Sequence, residues 1–148
     1  MNLIDALLGE HATLKTVFAH IEKFQAGWGL GQLQETAALL EDLLSAHGVL
    51  EDELLFDLLP ANKEAMNHVL EAMRGEHHRL RGLVSELLSA EDERQAQRLL
   101  TQLVDLAREH FAVEERVLFH LASDHMGSER LQEAGREWAR RRELHLPA

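Results

Sequence analysis

Cysteine is absent, which excludes disulfides, thiolate catalysis and any cysteine-ligated metal site. Tyrosine is also absent and proline occurs only twice, so turn-rich and sheet-rich architectures have little to build on. No stretch approaches the roughly 18 consecutive apolar residues that a membrane span needs. The opening MNLIDALLGEH has no basic stretch followed by a long apolar run, so no signal peptide is expected. Basic residues are few, 15 against 26 acidic, for a net charge of −11. Nucleic-acid binding, which needs clustered Lys and Arg, is therefore not expected. These absences together lead to the expectation of a cytoplasmic protein with no membrane and no nucleic-acid partner. One local exception is a C-terminal set of arginines, Arg130, Arg136, Arg140, Arg141 and Arg142. It is a solvated helix face or a docking surface for the acidic bundle, a second copy or another protein.

The residues present are those of helices: Leu, Ala, Glu, Gln and Arg dominate. Apolar residues recur at three- and four-residue steps in four segments. They are Ile4, Leu7, Leu8, Leu14, Phe18 and Ile21; Leu40, Leu43, Leu44, Leu50, Leu54 and Leu58; Leu70, Met73, Leu80, Val84 and Leu87; and Leu103, Leu106, Val113, Val117 and Leu121. Breaks are expected at Gly27, Gly29 and Gly31, at Pro60-Ala61-Asn62, and at Ser89 to Arg94, where Ser89 or Asp92 caps the next helix. Short connections imply antiparallel neighbours. The spacing predicts an all-α, up-down-up-down four-helix bundle over residues 1–125. After Gly127-Ser128-Glu129 a short fifth helix and tail occupy the remainder, 126–148.

The chain repeats itself. Gly9-Glu10-His11-x-x-Leu14 recurs 66 residues later as Gly75-Glu76-His77-x-x-Leu80. His47-x-x-x-Glu51-x-x-x-Leu55-Phe56 recurs 63 residues later as His110-x-x-x-Glu114-x-x-x-Leu118-Phe119. Two helical hairpins thus carry the same polar groups, which predicts a pseudo-two-fold bundle. His11, His47, Glu51, His77, His110 and Glu114 all interrupt apolar stripes, and residues four apart share a helix face. In an antiparallel hairpin, residues equidistant from the turn lie at one height. His11 and His47 are centred on residue 29, His47 and His77 on 62, and His77 and His110 on 93.5. All three centres fall in expected turns, so the four histidines share one layer.

Two carboxylates buried side by side repel, and one would protonate. A pair of cations removes the conflict, with the carboxylates bridging and two imidazoles holding each ion. Mixed imidazole and carboxylate donors suit iron, with zinc, manganese and copper as alternatives, and bridged metal pairs about 3.5–4 Å apart are well known.

The Glu-His-x-x-Leu of the first and third helices and the His-x-x-x-Glu…Leu-Phe of the second and fourth resemble the hemerythrin-like, or HHE cation-binding, family. The likeness runs from about Leu3 to Leu121. It implies a non-heme centre of two iron ions, oxo- or hydroxo-bridged, with manganese or zinc as substitutes. It makes His11, His47, His77 and His110 terminal ligands and Glu51 and Glu114 bridges. The chain departs from the oxygen carriers of that family at Met73, where they have a fifth histidine. Their second bridging carboxylate corresponds to Glu115, beside Glu114, and Asp52 likewise neighbours Glu51. Four histidines and two glutamates resemble the di-iron proteins that repair iron–sulfur clusters, which add a cysteine-bearing segment that this cysteine-free sequence does not match.

Of the other histidines, His20, His68, His120, His125 and His145 are expected outside the site, and His78 replaces His77 if the register slips. Met73 and the phenylalanines are read as core or as a pocket lining; Trp28 and Trp138 as anchors for a loop and for the fifth helix. Three functions compete. The first is a di-iron protein that binds or turns over oxygen, nitric oxide or peroxide under redox or nitrosative stress. The second is an iron-handling, sensing or cluster-repair protein without turnover. The third is a metal-free interaction bundle.

Overall fold

The computed structural model describes residues 1–60 and 63–146. Ala61 and Asn62, part of one expected turn, lie outside the described residues. The architecture is all-α: α1 (Leu3–Phe24), α2 (Leu30–Leu54), α3 (Glu64–Leu88), α4 (Glu93–Val113) and α5 (Phe119–Arg141). Local chemistry fixes the starts. Asn2 and Asp5 form a reciprocal capping box on α1, and the Asp92 side chain accepts from the Gln95 amide to open α4. Ser89 ends α3 instead of capping α4.

Two details differ from the expectation. First, α2 stops at Leu54 rather than at Pro60, and a single 3₁₀ turn, Phe56–Leu58, follows. Second, α4 passes through a π-helical turn, Glu114–Leu118, straight into α5. The wider turn shifts the inward face beyond it, so that Leu118 and Phe119 are buried while Val117 is exposed; Val113, just before the turn, is exposed as well. Leu8 and Leu58, also assigned to apolar stripes, are exposed too. The short fifth helix expected after Gly127 is present as the last segment of α5, set off by a break in the helix. α5 extends the fourth rod and then turns at Gly127, whose φ of 74° and ψ of 166° suit glycine and few other residues.

After that turn the last segment of α5 folds back along α1. At Gly135 the approach is so close that a Cβ would lie 2.8 Å from the backbone carbon of Asn2. The segment closes one end of the bundle: Leu131, Ala134, Trp138 and Ala139 join Leu3, Leu7, Leu54 and Phe119 in one apolar cluster. A second cluster, built on Phe18, Leu33, Leu40, Leu87, Leu100 and Phe111, fills the opposite end. Six polar residues lie between the two.

Candidate metal centre

The buried polar and charged side chains among the described residues are His11, His47, Glu51, His77, His110 and Glu114, none more than 6 % exposed. The structure brings together all six residues singled out by the repeats. The other six histidines are exposed. Met73, in the place of a fifth histidine, is packed in the apolar cluster at the closed end.

The Nε2 atoms of the four imidazoles converge on the two carboxylates. His110 Nε2 lies 2.6 Å from Glu114 Oε1 and His11 Nε2 lies 3.2 Å from Glu114 Oε2. His47 and His77 Nε2 lie 3.4 and 3.5 Å from Glu51 Oε2. Each carboxylate therefore faces one histidine from each half of the repeat. The donors form two sets, His11, His47, Glu51 and Glu114, and Glu51, His77, His110 and Glu114, sharing both glutamates. Within each set the ligand atoms lie within 4.8 Å of one another.

Hydrogen bonding within the protein does not satisfy this layer. All four glutamate oxygens, both His77 nitrogens and His110 Nε2 are buried without a hydrogen-bond partner, a concentration that native interiors avoid. The charges are also in conflict. Burial pushes the Glu51 carboxyl up, but the charge of His47 beside it wins and holds it well below the ordinary range. Burial and the Glu51 charge push Glu114 up to about 8. Burial opposes a charge on His47, yet Glu51 and Glu10 raise it to about 10. Without cations, then, protons occupy the positions that cations would take, and the two compete for the same atoms. An arrangement of orphaned imidazole and carboxylate donors fits a pair of cations.

Around this layer stands a second ring of acids. His47 Nδ1 donates to Glu10 Oε2 and His110 Nδ1 to Glu76 Oε2, each at 2.6 Å. His11 Nδ1 donates to Glu115 at 2.9 Å, and Asp52 lies 3.6 Å from His77 Nδ1. An acid at Nδ1 keeps the proton there and turns a bare Nε2 inward, the tautomer that binds metal. Glu10 and Glu76 had a signal in the sequence, the repeated Gly-Glu-His, but it reads only as a repeat until the neighbouring helix is in place. Glu115, which the resemblance places at the family's second bridging position, and Asp52, the neighbour of Glu51, stand outside the layer.

The hemerythrin HHE cation-binding domain matches residues 2–122, and in a second, overlapping match residues 68–144. The chain belongs to this family. The first match covers most of the chain, and the overlapping one begins in α3, where the repeated hairpin begins. No curated protein and no solved structure matches the chain. As a hemerythrin-like cation-binding domain, the protein carries its His/Glu clusters where such a domain would hold metal.

Proposed function

We propose that this protein is a non-heme di-iron protein that binds or turns over a small ligand, oxygen, nitric oxide or peroxide, in a redox or nitrosative stress role. His11 and His47 would hold one iron, His77 and His110 the other, and Glu51 and Glu114 would bridge them. Iron bound there supplies one-electron redox chemistry and coordination positions open to small molecules. The chain's own part is to hold His11, His47 and His110 in one tautomer and to wall the layer between two apolar clusters.

The observation that carries the small-ligand reading is a cavity of about 30 Å³ against the layer. Its walls include His47, Gly48, His77, His110 and Phe111, and it reaches the surface past Glu41, Ser45 and Arg81. That volume admits a diatomic and excludes an organic substrate, since ligand pockets run to several hundred Å³. Gly48 leaves the space open beside His77, whose ring would lie 3.5 Å from an added Cβ.

Gly48→Leu is the test. The iron-loaded variant should keep both metals, while the shift of its absorption band on adding azide or nitric oxide should be slowed or lost. Gly48→Ala, with an ordinary contact to His77, should behave like wild type. An unchanged rate in Gly48→Leu would exclude this route. An iron-loaded wild type that answers to none of these ligands would favour the handling or sensing role instead.

A further inference from the structure

The two halves of the repeat are not equivalent outside the metal layer. Glu76 accepts from His110 Nδ1 and has no other partner among the described residues. Its counterpart Glu10 accepts from His47 Nδ1 on Oε2, and on Oε1 from Trp138 Nε1 at 2.9 Å and Arg142 Nε at 2.7 Å. Both of these extra donors come from the C-terminal segment. Glu10 is thus a carboxylate with its two oxygens facing two different structures: a candidate metal ligand on one side, the docked end of the chain on the other.

The docking is stiff enough to transmit position. Trp138 is 8 % exposed and packed in the apolar cluster at the closed end. One turn earlier, Gly135 lies against the α1 backbone with no room for a methyl group. Arg141 reaches Glu53 at the end of α2, the helix that carries His47 and Glu51. An indole N–H and a guanidinium N–H fix the carboxylate of Glu10 in one orientation, and Glu10 in turn fixes the plane of the His47 imidazole.

We propose that Trp138 and Arg142 are positioning residues for the His11–His47 half of the centre, so that docking of the C-terminal segment sets the metal affinity of one position and not of the other. This rests on the two-metal reading above. By linkage, metal at that position must also tighten the docking of the segment, because a coupling between two sites acts in both directions. The basic end of the chain then serves as the part through which the centre's occupancy is felt at the surface.

The test uses the full chain, titrated with cobalt(II) against a competing chelator. Wild type should take up two ions. Trp138→Phe/Arg142→Gln should weaken one of the two binding steps by about ten-fold and leave the other within about two-fold, as loss of a hydrogen-bond partner behind a ligand does. Arg142→Lys alone should retain most of the affinity. Glu76→Gln should weaken the opposite step, and combined with the double variant it should weaken both. In hydrogen exchange, amides of residues 129–141 should slow on metal loading in wild type and not in Glu10→Gln. Equal weakening of both steps in Trp138→Phe/Arg142→Gln, or of neither, with wild type holding two ions, overturns this inference alone. A wild type that takes up no metal overturns the two-metal reading and this inference with it.

Discussion

Replacing Glu51 and Glu114 together by leucine is expected to reduce bound metal from two ions per chain to none. Both glutamates belong to both donor sets, so their loss removes half of the donors at each position. The four remaining imidazoles would each face an apolar neighbour. The same variant should lose little stability when both are free of metal, because it removes two buried carboxylates that lack hydrogen bonds and leaves imidazoles that burial favours in the neutral form. The reason lies in the layer itself: four carboxylate oxygens are buried without a hydrogen bond, and one carboxyl is ionised only at the expense of the other. Loss of metal without a matching loss of stability, read by metal analysis and urea unfolding, would show that these residues are kept for binding rather than folding. A variant that still binds two ions would remove both glutamates from the site.

Phe111→Ala should cost about 3–5 kcal/mol of stability in the metal-free protein. Phe111 is fully buried and stacks on His11, with ring centroids 4.0 Å apart and planes at 12°. It also stands edge-on to His47 and packs against Phe18. Its removal would open a void between the metal layer and the second apolar cluster, and widen the cavity that Phe111 lines. Denaturant unfolding measures the loss. A cost below about 1 kcal/mol would mean that the ring is not packed as described.

How far this molecule can be read from its sequence depends on which information is local. The four rods follow from three- and four-residue periodicity, and the shared height of the histidines follows from chain arithmetic on antiparallel hairpins. The inward position of Glu51 and Glu114 follows from their four-residue spacing to His47 and His110. The π turn at Glu114–Leu118 does not follow, because a strict helical period carried through it puts Val117 on the wrong face. The early end of α2 is hidden for a related reason: Pro60 is the strongest breaker nearby, but the helix ends six residues before it. The acids behind the histidines are illegible for a different reason. Glu10 meets His47 from another helix, and Trp138 and Arg142 come from the far end of the chain. Such pairs exist only once the bundle has been assembled.

The proposed function requires the six buried side chains to hold two iron ions. The most direct measurement is metal analysis with an absorption spectrum, made on protein purified without added metal and then loaded anaerobically with iron(II) and reoxidised. Two irons per chain are expected, with an absorption band that is absent from the Glu51→Leu/Glu114→Leu variant. A pure, folded wild type that binds no metal, or that binds as much iron as that variant, would contradict it.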